Sequence, residues 1–456
     1  MFKKIELWVL LLVILIFTVL TILFGALIVN FYVYKYEWSI NSQGKFPRLQ
    51  KTAIFFAKLP YNLKSIISNQ GIDVKPFKKN KNLNEFQLFK KTDYFKNKLI
   101  ILPRYDGDLK RSIVEVRDLG TFELLHTYKH DINKMNNLID TSNVEFKNVL
   151  SDSNERRFIY FNPLVQNDGS LLAIGSNSFF KIDICSNLIW LNQDEIFHHS
   201  VNQSMDENFW VGAQMYPYSN ITNTYYGKYG FGYKEDAIAK IDLDGKLIFI
   251  KSIAEILIEN KIIGENLYLK NHFDPIHLND IEEAYIHSKY WEVGDLFLSI
   301  RNQSAIIHYR PSENKVINYI KGPFFQQHDV DIISNKEISI FNNNNNALES
   351  KNFSEILIFN FETKKFEKKF NDKLVENNFK TSTEGLSEIL SDGSLLVEEQ
   401  NHGRLILFDK NGSKVWEFVN KDTKNDVFFI SWSRIIENQN KVDKIKESIT
   451  TNRCQK

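Results

Sequence analysis

The chain of 456 residues has only two cysteines, Cys185 in an apolar stretch and Cys454 in the polar tail. A disulfide framework and a cysteine-based zinc site are therefore both excluded. Proline and glycine are sparse, at 9 and 19, which rules out collagen-like and low-complexity Pro/Gly architectures. Neither sign of charge dominates: 57 Lys and Arg face 56 Asp and Glu, a net of +1, so no global field draws in nucleic acid or an acidic partner. The sequence contains no G-x-x-x-x-G-K-[ST], no G-x-S-x-G and no H-E-x-x-H, which removes the basis for P-loop, α/β-hydrolase and zincin readings. Tyr229-Gly230-Phe231-Gly232 is a Gly pair among aromatics and reads as a loop. What is plentiful is aromatic: 14% of residues, with 36 Phe, as in a folded, strand-rich chain.

From Leu7 to Tyr34 no side chain is ionisable except tyrosine, and Leu10 to Val29 is almost wholly Leu, Ile, Val and Phe. About 20 such residues cross a hydrocarbon core of ~30 Å as a helix. A cleavable signal has an apolar region of only about 7 to 15 residues and a small-x-small site, so residues 1–34 read as an uncleaved transmembrane anchor. Lys3 and Lys4 before it predict a cytoplasmic N-terminus, with the rest of the chain outside. Residues 35–95 read as a juxtamembrane connector, with an amphipathic run at Thr52 to Ile67 and a Lys-rich stretch from Lys75 to Lys98, a solvated linker.

From Leu99 onward, apolar runs of about four to seven residues alternate with Asp-Gly, Asn-Gly and Ser-Asn turns, the pattern of antiparallel strands. The segments resemble one another. Asn167-Asp168-Gly169-Ser170-Leu171-Leu172, then Phe179 to Asp183 and Leu188-Ile189-Trp190, is repeated by Asp392-Gly393-Ser394-Leu395-Leu396, Arg404 to Asp409 and Lys414 to Phe418. Weaker copies run from Ile113, Ala237 and Gly294. A strand repeat of about 40 to 55 residues predicts propeller blades, because one four-stranded blade cannot bury both faces alone. The expectation is an all-β chain: a six-bladed β-propeller over residues 96–440, preceded by the transmembrane helix and followed by a polar tail, 441–456. Ile253 to Lys261 is the one helical exception.

Ten histidines occur, and four stand in contexts unlike a core strand: His198-His199 after an acidic loop, His277 in Asp274-Pro275-Ile276-His277-Leu278-Asn279-Asp280, and His328 in Phe324-Phe325-Gln326-Gln327-His328-Asp329. Arg301 ends the apolar run Leu298-Ser299-Ile300. These positions fall in different repeats, and a propeller brings the inner strands of its blades to one axis. A guanidinium aimed into a cavity needs an anion, and imidazoles beside it can act as base, acid or nucleophile near neutral pH. Arg301 would repel a divalent cation and carboxylates are few, so no metal is expected. His126, His130, His272, His287, His308 and His402 read as satisfied structural residues.

At these residues the chain resembles the bacterial arylsulfotransferase family, which moves a sulfuryl group from a phenolic sulfate ester to another phenol without a nucleotide sulfate donor or other cofactor. The similarity runs over roughly 96–440. It is carried by His277-x-Asn279 after Asp274, by Ser299-Ile300-Arg301, by Gln327-His328-Asp329 and by the Glu384-Gly385 to Glu398 repeat. It implies that His328 is the nucleophile that becomes transiently sulfated, that His277, Asn279 and Arg301 hold the sulfuryl oxygens, and that His199 is a further active-site histidine. Asp329 would either orient His328 or cap a turn. Phe324 and Trp210 are candidates to flank an aryl ring, with Phe325, Tyr216 and Trp291 behind them. The partners implied are an aryl sulfate donor and a phenolic acceptor, with membrane attachment through the anchor and no nucleic acid. The location implied is the inner membrane, single-pass, with the propeller facing the periplasm. Better-known members carry an N-terminal β-domain that is missing here, and some have a disulfide that Cys185 and Cys454 do not obviously reproduce. The family often has an Asp-Asn pair after the His328 strand, where this chain has Phe341-Asn342-Asn343-Asn344-Asn345-Asn346. The alternative is a catalytically silent, membrane-anchored propeller that binds a ligand or protein partner.

Overall fold

Short strands that are apolar on both faces must be covered on both sides, and here six sheets cover one another in a ring. The computed structural model describes residues 6–37, 52, 74–143, 146, 149–226, 233–262, 274–345, 353–452 and 454. Apart from Thr52, the amphipathic run 52–67 lies outside the described residues, as do the loop 229–232 and His272. The chain divides into two compact units, residues 1–72 with 223–233, and residues 73–222 with 234–456. The first contains the helix Leu7–Glu37, whose stretch Leu7–Gly25 is long and apolar enough to cross a membrane.

The second unit is a six-bladed β-propeller. Blade 1 is Leu99–Asp106, Arg111–Asp118 and Leu124–Tyr128, completed on its inner edge by Arg434–Ile436. Blade 2 runs from Phe161–Val165 to Leu188–Asn192, blade 3 from Ile196–Gln203 to Leu247–Ser252, and blade 4 from Leu278–Glu283 to Lys315–Ile320. Blade 5 runs from Val330–Ile332 to Lys365–Lys368 and blade 6 from Leu386–Ile389 to Lys414–Val419. Every pairing within the blades is antiparallel, and the strand named first lies innermost in blades 2 to 6. Second strands such as Leu171–Gly175 and Leu296–Ile300 are buried at every residue, because neighbouring blades pack on both faces. Outer strands such as Lys365–Lys368 are largely exposed.

The repeated turns are built alike. In blade 2, Asp168 Oδ1 accepts from Ser170 N at 2.9 Å, around Gly169 at φ +76°. In blade 6, Asp392 Oδ1 accepts from Ser394 N at 2.9 Å, around Gly393 at φ +88°. The left-handed φ explains why glycine recurs there.

Three boundaries differ from the sequence expectation. Phe86–Leu88, expected in the connector, pairs with Lys414–Val419 as a fifth, outermost strand of blade 6. Its short run carries no alternation long enough to mark it as a strand. The expected polar tail is a helix, Gln439–Thr451, whose Val442 and Ile445 are buried in the core between blades 1 and 2. Val442, Ile445 and Ile449, three and four residues apart, form one apolar stripe on a polar helix. Finally, Cys185 and Cys454 form a disulfide, with Cα atoms 5.2 Å apart across 269 residues of sequence. Docking of that helix is what brings a cysteine from the far end of the chain to the last turn of blade 2, a pairing spacing alone does not reveal.

Cross-linking so long a loop restricts the unfolded chain, so Cys185→Ser should lower unfolding stability by about 2–4 kcal/mol. Chemical denaturation with and without reductant checks it: reductant should destabilise the parent chain to the level of the variant and leave the variant unchanged.

Candidate active site

At one end of the propeller axis, the inner strands begin with residues in unusual backbone conformations. His199 sits at a β-bulge in Ile196–Gln203 with φ 56°, His277 precedes Leu278–Glu283 with φ 55°, and Gln326 stands two residues before His328 with φ 55°. Glu384, before Leu386–Ile389, has φ 59°, and Trp432, before Arg434–Ile436, has φ 69°. Non-glycine residues at positive φ are costly and cluster where surrounding structure fixes them for a purpose.

The side chains converge. The ring of His199 lies 5.3 Å from that of His277, 6.4 Å from that of His328 and 6.1 Å from that of Trp432, and His328 and Trp432 are 6.3 Å apart. His277 Nδ1 is 2.6 Å from Asp274 Oδ2, and Lys234 Nζ is 4.0 Å from the same oxygen. The charges and hydrogen bond from His277, with Lys234, outweigh burial and hold the Asp274 carboxyl below the usual range. Arg301 follows strand Leu296–Ile300 of blade 4; its N–H donates to His277 O at 2.9 Å, tying the two residues together. Its guanidinium donates to Asn302 Oδ1 at 2.9 Å and Gln326 Oε1 at 3.0 Å. No carboxylate neutralises Arg301 among the described ion pairs, which leaves a cation whose natural complement is an anionic ligand. Asn279 is fully buried; its Nδ2 donates to Gln327 O at 2.8 Å and its Oδ1 has no protein partner.

His328 is the most buried of the three histidines, 1% exposed. Its Nδ1 lies 2.6 Å from Asn343 Oδ1, and its Nε2 accepts from the peptide N–H of Glu384 at 2.9 Å. Burial, opposed by the Asn343 hydrogen bond and reinforced by the charges of Arg301 and His277, lowers its pKa to about 3. Burial and the neighbouring His198, His277 and His328 likewise hold His199 well below its ordinary value. Both imidazoles are neutral at physiological pH.

The structure thus gathers His199, His277, Asn279, Arg301 and His328, from blades 3, 4 and 5, into one place. It does not bring Trp210 or Phe324 there. Trp210 lies on the second strand of blade 3, edge-on to Phe249 at 5.8 Å and under Lys240 Nζ at 4.9 Å. Phe324 is 1% exposed in the core of blades 4 and 5, against Phe366 at 5.9 Å. Both are packing residues, because second strands and the apolar layers between blades face one another instead of the axis. Asp329 neither orients His328 nor caps a turn: its Oδ2 accepts from Ser387 N of blade 6 at 3.0 Å. Sequence reasoning missed Trp432, Asn343 and Glu384. Trp432 is held by Glu398, whose carboxylate accepts from Trp432 N at 2.8 Å and Ser433 N at 2.7 Å. The Ser-Trp-Ser run could have marked it, had the closing strand been recognised.

Sequence comparison decides the family: the family model for arylsulfotransferase (ASST) matches residues 168–421, more than half of the chain. The chain belongs to the arylsulfotransferase family. No curated protein matches it. Among solved structures, a protein of unknown function from Bacteroides caccae is 12% identical, aligned over 75% of this arylsulfotransferase-family chain and 99% of its own, with a TM-score of 0.47. Virginiamycin B lyase from Staphylococcus aureus is 10% identical over 77% and 98%, with a TM-score of 0.34. At such scores these likenesses say nothing of what this chain does. Family membership supports a function of the arylsulfotransferase type, and the matched span contains all five polar residues of the cluster.

A cavity of about 400 Å³ runs along the same inner strands, lined by Asp280, Glu282, Asp329, Asp331 and Glu388. Arg434 projects into it but donates to Asn162 Oδ1, Asn202 Oδ1 and Val201 O. Among the described residues no group of ligands there is arranged to hold a metal. Burial, against the hydrogen bond from Ile435 N, pushes Glu388 up to about 8, and burial with mutual repulsion raises Glu282 and Asp329 well above the carboxylate range. These groups keep protons in the folded state that the unfolded chain has already released near pH 4. Their contribution to folding therefore weakens as pH rises from about 4 through 8, because these groups bind more protons folded than unfolded over that window. The melting temperature between about pH 5.5 and 8.5 checks this: Glu388→Gln, which carries no charge, should gain on the parent increasingly as pH rises, by roughly one titrating group.

Proposed function

We propose that the chain transfers a sulfuryl group from an aryl sulfate ester to a phenolic acceptor through a sulfohistidine on His328, without a nucleotide donor. The observation that carries the reading is a buried, neutral imidazole close to an arginine that has no carboxylate ion pair among the described residues, at the meeting point of three blades in a chain of this family. Neutral His328 attacks sulfur; the N–S bond forms as the S–O bond to the aryl ring breaks, and the aryloxide leaves with that electron pair. A proton from His277, the imidazole paired with Asp274, neutralises it. In the second half the acceptor phenol returns a proton to His277, its oxygen attacks sulfur, and the N–S bond breaks, giving its electron pair back to His328.

Sulfuryl transfer, like phosphoryl transfer, has a loose transition state, so positioning and charge stabilisation on the equatorial oxygens dominate. Arg301 offers paired donors to those oxygens in a geometry lysine cannot reproduce. Asn279 supplies the Nδ2 hydrogen not used on Gln327 O, and His199 lies 6.4 Å from His328, ring to ring. Trp432, beside both His199 and His328, supplies the aromatic surface for the aryl ring that Phe324 and Trp210 do not.

The single N-terminal helix serves as the anchor, with the propeller on the periplasmic side of the inner membrane. Lys3 and Lys4 favour that orientation, and a disulfide persists where the compartment is oxidising.

Full-length protein in detergent, incubated with 4-nitrophenyl sulfate, should release nitrophenolate faster when phenol is added. With the acceptor withheld it should gain about 80 Da, the mass of one sulfuryl group on a covalent intermediate. His328→Ala should abolish both. Arg301→Lys should lose on the order of 10²-fold in rate, and Trp432→Ala should raise KM for the aryl donor about five- to tenfold. No release and no mass gain across several aryl sulfates would leave the silent binding module as the better account.

A further inference from the structure

The two nitrogens of His328 are chemically distinct only if something fixes which one carries the proton. Its Nδ1 faces the side-chain oxygen of Asn343, an acceptor, at 2.6 Å, and its Nε2 faces the peptide N–H of Glu384, a donor, at 2.9 Å. The orientation of Asn343 is itself set by backbone. Its Nδ2 donates to Thr381 O at 3.1 Å and to Glu384 O at 2.7 Å. Turning the amide over would aim its oxygen at two carbonyl oxygens and its NH2 at Nδ1, losing both bonds. Asn343 is 1% exposed, so water cannot repair that loss.

We infer that Asn343 is a positioning residue for sulfuryl transfer: it holds the Nδ1–H tautomer of His328, so that Nε2 carries the lone pair and is the atom that forms the N–S bond. This rests on the reading of His328 as the nucleophile. Attack exchanges the Glu384 N–H for sulfur at Nε2, and Nδ1–H stays on Asn343 Oδ1 throughout, stabilising the positive ring of the sulfated intermediate. Without that acceptor the tautomers interconvert, and a ring protonated on Nε2 has no lone pair where the donor binds.

The groups facing the ring define what a pH measurement reads. Arg301 and His277 of blade 4 disfavour a charged His328, and a backbone hydrogen bond with Gln326 favours it; His199 of blade 3 lies 6.4 Å away, ring to ring. Asp329 turns its carboxylate to Ser387 N, and Glu384 presents its peptide group. Asn343 is the only described side chain that hydrogen-bonds the ring, so replacing it by a carboxylate favours the charged form.

The test follows single-turnover transfer from 4-nitrophenyl sulfate to the full-length chain across pH. Asn343→Leu should slow transfer on the order of 10²-fold with little change in KM. Asn343→Asp, which keeps an acceptor at Nδ1, should recover much of the rate at alkaline pH while its acid limb moves up by about 1–3 pH units. In protein labelled with 15N-histidine, the signals lost in His328→Ala should show a pyrrole-type Nδ1 and a pyridine-type Nε2 in the parent, and exchange-averaged nitrogens in Asn343→Leu. Parental rates in Asn343→Leu, an unshifted acid limb in Asn343→Asp, or a pyridine-type Nδ1 in the parent would each overturn the proposal. Retained transfer by His328→Ala would instead overturn the nucleophile itself, separating the two failures.

Discussion

The structure depends on how six inner edge strands dispose of backbone N–H groups that face the axis and have no further strand to pair with. Buried N–H groups must find acceptors. Here carboxylates supply them from one blade to the next. Asp236 of blade 3 accepts from Leu278 N of blade 4, Asp280 of blade 4 from Val330 N of blade 5, Asp329 of blade 5 from Ser387 N of blade 6, and Glu388 of blade 6 from Ile435 N of blade 1. Across the remaining joints, Ser431 Oγ donates to Tyr160 O, and Arg434 reaches Asn162 and Val201 O. The ring is thus sewn along its axis by side chain to backbone bonds, and its circumference is closed by two terminal strands.

This stitching explains two properties of the interior. The carboxyls of the axial cavity sit close together because the inner strands of blades 4, 5 and 6 carry them or start beside them, and their burial and proximity raise their pKa values. Asp280, Asp329 and Glu388 are structural acceptors of backbone N–H groups from the next blade. The same stitching holds left-handed backbone at His199, His277, Glu384 and Trp432, because the residues just beyond are pinned to a neighbouring blade. Side chains that would otherwise follow the strand are turned toward one another, and a group of histidines with an arginine results.

Within the group, chemistry is separated by depth. His277 keeps 25% of its side chain exposed, beside Asp274, which also meets Lys234. His328 is enclosed and neutral, with both nitrogens committed to specified partners. Burial and the neighbouring positive charges keep that imidazole uncharged far below the pH at which a solvated histidine would protonate.

Much of this was written in the sequence. The helix Leu7–Glu37 follows from an unbroken apolar run, and the blades from recurring Asp-Gly turns whose geometry is local. The choice of His199, His277, Arg301 and His328 needed only polar residues in otherwise apolar contexts, since each stands out from its own strand. What was not legible depends on contacts between distant segments. Phe86–Leu88 is a strand only because blade 6 offers it an edge, and Cys185 meets Cys454 only because a C-terminal helix docks between blades 1 and 2. Trp210 and Trp432 look alike as sequence; one is covered by its neighbour's packing and the other faces the histidines, a difference set by which strand lies innermost. Asn343 lies within a run of like residues, and only the carbonyls of Thr381 and Glu384 single it out. The sequence by itself determined the repeat, the long apolar N-terminal helix and the inventory of reactive groups, because these rest on local periodicity and composition. Tertiary structure decided which groups meet, which are neutral and what each nitrogen of His328 faces, because burial and hydrogen-bond partners come from distant segments of the chain.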